Sequence, residues 1–179
     1  MAISNPRGFV IQTLWSPNRS RQIPWIKKKV FLAHHTGNGV TLASLGSVIN
    51  WFMSTNSGVS ADFVVDRNGT IVRMVPRGWI GWHAGICTWR GAPYRLYNHL
   101  SVGVELVNDG SGHDPYPQIQ LEAMAYVYAV CQAESPTLRY PRRHGDVAIP
   151  LGRKVDPAGL GIEEIYTAIH NHQPEVLLG

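Results

Sequence analysis

The sequence predicts an α/β fold, one domain with a mixed central β-sheet flanked by helices, and three observations carry that prediction. Residues 101–107 (SVGVELV) alternate with period two, residues 63–75 carry a hairpin signal around Asn68-Gly69, and residues 41–54, 121–131 and 162–169 place apolar side chains at helical spacing. Strands interleaved with helices build one sheet with helices packed on its faces. The 179 residues contain no internal repeat and no Pro/Ser-rich linker, so they are read as a single domain over residues 1–179.

In chain order, residues 1–25 read as an irregular N-terminal arm. Lys27 to Thr36 (KKKVFLAHHT) reads as a buried strand whose polar C-terminal residues emerge at a rim. Leu42, Leu45, Ile49, Phe52 and Met53 follow Thr41, an expected N-cap, and define an amphipathic helix over 41–54. Phe63 to Val65 and Thr70 to Val75 form the hairpin, with Asn68-Gly69 supplying the positive φ angles of its turn. Residues 76–99 (PRGWIGWHAGICTWRGAPYRLYNH) are too long for a plain connector and are expected to form a binding loop.

In the strand at 101–107, Val102, Val104 and Leu106 share one side, and Ser101, Gly103, Glu105 and Val107 the other. Leu121, Met124, Val127, Tyr128 and Cys131 mark a second helix, and Ile162, Ile165 and Ile169 a third. Between these two helices a further long loop runs from Arg143-His144-Gly145-Asp146-Val147 to Pro157.

Composition narrows the function classes. Hydrophobic residues make up 44% of the chain and charged residues only 16%, a folded rather than a disordered composition. The net charge of +4 favours a polyanionic partner: nucleic acid, an anionic cell envelope or an acidic substrate. Cys87 and Cys131 are too few for a disulfide framework or a four-thiolate zinc site, although one bridge between them stays open. The N-terminus lacks a basic start followed by an apolar signal run, and no segment approaches the roughly 18 apolar residues of a membrane span. The expectation is synthesis in the cytoplasm, as a monomer, with no membrane partner.

Several residues stand out as candidates for chemistry. His34 and His35 end the buried strand, His144 opens the second long loop, and Asp156 precedes Pro157 near its end. Two imidazoles and a carboxylate would fill three corners of a tetrahedral metal site and leave the fourth to water. Strand parity alone leaves open whether His34 or His35 would be the ligand. Glu105 is a lone carboxylate in an apolar strand, either on a solvated or ion-paired face or aimed into a site as a general base. Lys154 is an ordinary surface lysine taken alone, and an oxyanion partner if it stands beside a metal ligand.

Five segments, taken together and in order, resemble the zinc-dependent N-acetylmuramoyl-L-alanine amidases of the amidase-2 and peptidoglycan recognition protein superfamily. They are FLAHHTG at 31–37, SADFVVDRNGTIVRMVP at 60–76, GWHAG at 81–85, NHLSVGVELVN at 98–108 and RHGDVAIPLGRKVDP at 143–157. The resemblance implies one Zn2+ held by His34, His144 and Asp156, with Glu105 as acid/base carboxylate and Lys154 as the cation facing the transition state. Trp82, His83 and Asn98 would line the groove for a peptidoglycan or muropeptide substrate.

The chain departs from the family pattern in three places. The loop from His144 to Asp156 is about two residues longer than in recycling amidases, Asp62 stands where the family often has His, and Ala61 stands where some phage members have a catalytic tyrosine. Glu105 places the chain with the glutamate-using branch. The implied activity is cleavage of the bond between N-acetylmuramic acid and L-alanine on the bacterial cell wall, as in a phage endolysin catalytic domain. A cytoplasmic muropeptide-recycling amidase is the alternative, and a non-catalytic peptidoglycan-binding module a further one. The arginines at 139, 142, 143 and 153, with Lys154, form a patch that would suit nucleic acid, but no recognised nucleic-acid motif accompanies it and an anionic cell wall explains the charge equally well, so no nucleic-acid partner is expected.

Overall fold

The computed structural model describes residues 3–39 and 42–172. The chain runs β1 (Ile11–Thr13), β2 (Arg19–Arg21), β3 (Val30–His35), α1 (Leu45–Met53), β4 (Phe63–Val65), β5 (Ile71–Arg73) and β6 (Trp79–Gly81). It continues through β7 (Cys87–Trp89), β8 (Ala92–Tyr94), α2 (Tyr97–Leu100), β9 (Ser101–Leu106), α3 (Gln118–Glu134), β10 (Tyr140–Arg143), α4 (His144–Val147) and α5 (Ile162–His172).

The central sheet has six strands in the order β1-β5-β4-β9-β3-β10. It is mixed: β4 and β5 are antiparallel, while β1 with β5, β4 with β9, β9 with β3, and β3 with β10 are parallel. Parallel neighbours cannot be joined by tight turns, so the connections cross the faces as helices and long loops. The parallel core β4-β9-β3-β10 ends at one edge of the sheet, where His34, Glu105 and the start of α4 lie. In open α/β sheets, ligands bind at that carboxyl end.

The two faces bury different partners. Phe31, Ala33, Val102, Val104 and Leu106 pack with Met124, Tyr128 and Ile165 under α3 and α5. On the opposite face Val64, Val72 and Val107 pack with Val48 and Phe52 of α1, while Val30 and Leu32 meet Ala84, Tyr97 and Val147. The alternation read along residues 101–107 is therefore the division between these two cores. Gln120 of α3 ties helix to sheet, its buried Nε2 donating at 3.0 Å to the carbonyls of both Val65 and Val107.

Several expectations need correction. The arm over 1–25 is not irregular, since β1 completes one edge of the main sheet and β2 pairs antiparallel with β6. Both are three-residue strands whose polar members leave no readable period. The first helix starts at Leu45, capped by Ser44, whose hydroxyl accepts from the Ser47 amide at 3.1 Å. Thr41, the expected cap, lies outside the described residues, and Leu42 is half-exposed ahead of the helix.

The hairpin turn takes a positive φ at Gly69 alone (85°), closing with a Gly69 amide to Asp66 carbonyl bond of 3.0 Å. Asn68 instead contributes its side-chain oxygen to the Thr70 amide. The edge strand β10 has no readable signal in the sequence, because Tyr-Pro-Arg-Arg has no apolar period, and Pro141 is tolerated at an edge. Cys87 and Cys131 are both buried and free, on opposite faces of the sheet.

Candidate active site

His34 and Glu105 face each other in register on the adjacent parallel strands β3 and β9. On β3, Phe31 and Ala33 turn toward α3 and α5, whereas Val30 and Leu32 turn toward the loops, and His34 shares the loop side. This decides between the two histidines. His34 is 2% exposed and points into the site, while His35 accepts from the Ala158 amide at 3.0 Å and anchors the chain two residues beyond Asp156.

His144 follows β10 directly and begins α4, and the Gly145 amide donates to the Asp156 carbonyl at 2.7 Å. The second long loop thus closes back on its own start and, despite its extra length, delivers Asp156 to both histidines. Asp156 Oδ2 lies 2.9 Å from His34 Nδ1 and 3.0 Å from His144 Nδ1. The three residues are buried, and their ligand atoms lie within 4.8 Å of one another.

The remaining ring nitrogens decide what this cluster can hold. His144 Nε2 stands 3.0 Å from the Ala84 carbonyl, which can only accept, so Nε2 carries a proton. The tautomer with that single proton presents a lone pair from Nδ1 to a carboxylate oxygen. Two groups that both accept, held 3.0 Å apart in a buried site, call for a cation between them. Burial lowers the His34 pKa to about 3 against the pull of the neighbouring Asp156 carboxylate, so this ring is neutral near pH 7. His34, His144 and Asp156 form a group that could hold a metal ion, a nitrogen-rich set of the kind borderline divalent metals take.

Around this group lies a cavity of about 550 Å3 lined by Trp51, Trp82, Glu105 and Lys154 among others. Glu105 sits partly buried on its floor, and its Oε2 is shielded from solvent without a hydrogen-bond partner. Burial first, then the neighbouring Asp156 carboxylate, pushes its pKa well above the ordinary carboxylate value, against the pull of Lys154. A carboxyl with a raised pKa on the lining of a cavity is equipped to take and return a proton. Lys154 is exposed at the rim.

Three sequence candidates take distinct positions. Trp82 is at the surface of the cavity, its indole N–H donating to Ser20 Oγ at 2.9 Å. The His83 side chain is only 1% exposed and stands against His34, with Nδ1 3.1 Å from His34 Nε2. Asn98 lies behind the wall: its Oδ1 accepts from the His83 and Ala84 amides at 3.3 and 2.8 Å and so fixes the loop. Two members of the basic cluster bond within the protein. Arg153 donates to the carbonyls of Ala84, Ile86 and Ile149, and Arg142 to Pro141 and Tyr166.

A protein-family model described as N-acetylmuramoyl-L-alanine amidase, Amidase_2, matches residues 24–159, the span that holds every residue of this site. The chain belongs to this family. Among curated amidases, it is 30% identical over 99 residues to the 1,6-anhydro-N-acetylmuramyl-L-alanine amidase AmpD of Haemophilus influenzae, covering 55% of this chain and 52% of that protein. It is 35% identical over 115 residues to the N-acetylmuramoyl-L-alanine amidase AmiD of Escherichia coli, covering 60% and 37%. The chain thus spans about half the length, or less, of the curated relatives it matches.

Solved amidases share the fold. A selenomethionine AmpD derivative superposes with a TM-score of 0.72 at 20% identity over 89% of this chain and 94% of that one. The endolysin amidase LysCS of Clostridium intestinale gives 0.63 at 17% identity over 90% and 95%. The AmiD complex with anhydro-N-acetylmuramic acid-L-Ala-D-gamma-Glu-L-Lys gives 0.60 at 26% identity over 83% and 60%.

Proposed function

We propose that this chain is a zinc-dependent N-acetylmuramoyl-L-alanine amidase that hydrolyses the amide between the lactyl group of N-acetylmuramic acid and the first L-alanine of a peptidoglycan stem peptide. One observation carries the reading. His34 and His144 converge through ring nitrogens on one oxygen of buried Asp156, beside Glu105, a carboxylate on the lining of the same cavity whose Oε2 is shielded from solvent and has no hydrogen-bond partner. Family membership and the AmiD relative, which was solved with a muropeptide, support the substrate class.

His34 Nδ1, His144 Nδ1 and Asp156 would hold the zinc. When bound, zinc polarises a carbonyl and brings the pKa of coordinated water toward 7. Glu105, held upward in pKa by its surroundings, takes the proton of the attacking water and delivers it to the leaving amine of L-alanine. Lys154 at the rim offers an ammonium to the oxyanion that develops on the former carbonyl. Trp51 and Trp82 flank the cavity and give a sugar or stem peptide an apolar surface to lie against.

Two variants separate metal from acid/base function. His34→Ala is expected to lose both zinc, by elemental analysis, and muropeptide hydrolysis. Glu105→Gln is expected to keep one zinc per chain and lose about 10²–10⁴-fold in turnover. Full turnover in Glu105→Gln would remove the acid/base assignment, and full zinc content in His34→Ala the ligand assignment.

A further inference from the structure

Behind the ligand group runs a chain of buried side chains that the reaction itself does not touch. Asp62 is 6% exposed, and its Oδ2 accepts from the Gly103 amide at 2.8 Å. The same oxygen lies 3.5 Å from His83 Nε2, a buried nitrogen that lacks any closer partner. His83 Nδ1 in turn lies 3.1 Å from His34 Nε2, the two rings meeting edge-on with centroids 5.1 Å apart. The last step is the 2.9 Å contact between His34 Nδ1 and Asp156.

The polarity of this chain is set from its far end. A carboxylate only accepts, so the His83 nitrogen facing Asp62 carries the ring proton. His83 Nδ1 is then an acceptor, and the His34 nitrogen that meets it must donate. That leaves His34 with a lone pair on Nδ1, the atom facing Asp156. We propose that Asp62 and His83 are positioning residues that hold His34 in the one tautomer able to bind a metal through Nδ1, as the Ala84 carbonyl does for His144. The inference rests on the reading of His34, His144 and Asp156 as a metal site.

The surroundings are built to keep the chain in place. The buried Lys28 ammonium, bonded to the carbonyls of Asn98 and Ser101, favours the ionised form of Asp62. Asn98 clamps the His83 and Ala84 amides. Gly103 makes room, since a Cβ there would come within 2.6 Å of the His83 ring. Outer partners that orient metal-binding histidines typically contribute 10- to 100-fold in affinity.

The test measures zinc affinity by chelator competition, together with histidine tautomers by long-range 1H–15N correlation. His83→Leu removes the acceptor and is expected to weaken zinc binding about 10- to 100-fold. His83→Asn returns an acceptor oxygen near the position of Nδ1 and is expected to restore affinity to within about threefold of the unaltered chain. Asp62→Leu takes away the acceptor that faces His83 Nε2 and is expected to weaken zinc as His83→Leu does. Equal affinity in all three variants and the unaltered chain would overturn the proposal, as would equal weakening by His83→Asn and His83→Leu.

The spectra decide independently of the variants' stability. In the unaltered protein, His83 is expected to carry its proton on Nε2, with or without zinc, and a proton on Nδ1 overturns the relay. Should the unaltered chain bind no zinc, the metal reading fails, while the His83 tautomer still decides whether Asp62 sets the polarity.

Discussion

Lys154 is the residue whose role depends most on its company. Alone it is an exposed lysine, but it stands two residues before Asp156 and lines the cavity, where in the proposed hydrolysis it would meet the charge that develops on the carbonyl oxygen. Lys154→Ala is therefore expected to reduce kcat about 10²–10³-fold with KM and zinc content little changed, as steady-state kinetics on a soluble muropeptide would show. A rise in KM alone would make it a binding residue. Glu105 was legible because a lone carboxylate breaks an apolar strand. His34 was not separable from His35 by sequence, because parity names two faces without saying which one the loops cover. The role of Asp62 was hidden for a different reason: its partners His83 and Gly103 are 21 and 41 residues away in the chain.

At the scale of elements, the site depends on strands that end together and loops that fold back over them. The period-two strand β9 and the helices α3 and α5 were readable because a buried face imposes a pattern on ten or so side chains. β1, β2 and β10 were not, because three- and four-residue edge or paired strands with polar members bury too little to impose one. Gly103 shows how an element and a loop constrain each other. A methyl group added there meets the His83 ring at 2.6 Å, so Gly103→Ala must shift either β9 or the loop that carries Trp82 and His83. The expected cost is about 1–3 kcal/mol of stability by denaturant unfolding, with weakened zinc affinity. A variant as stable as the parent with unchanged affinity would show that the loop is free to move away.

For the whole molecule, the buried histidines make stability depend on acid. His34 has a pKa of about 3 in the folded chain and an ordinary value near 6.5 when unfolded, so the unfolded state binds more protons as pH falls below 6.5. The contribution is whole above pH 6.5 and is lost progressively down to about pH 3. At pH 5 this one residue removes about 2 kcal/mol, and Tm of the metal-free protein is expected to fall by about 4–8 °C from pH 7.5 to pH 5. Glu105, shifted upward, acts in the opposite sense over part of this range, so the melts belong in the Glu105→Gln background. A flat Tm there would mean that His34 already carries a proton in the folded chain.

The net charge of +4 is open at first to any polyanion, and two of the arginines behind it, Arg142 and Arg153, donate to backbone carbonyls of the protein itself. Among the described residues no helix is long and apolar enough to cross a membrane. Intact sacculi and soluble anhydro-muropeptides are thus the two substrates to compare, the first matching a lytic enzyme and the second a recycling one. The most direct measurement is mass spectrometry of a purified muropeptide after incubation with the zinc-loaded chain. Two products are expected, a free muramyl sugar acid and a stem peptide with a new L-alanine amino terminus, both absent with His34→Ala. Cleavage within the glycan or further along the peptide, or no cleavage by a chain with one bound zinc, would contradict the proposed function.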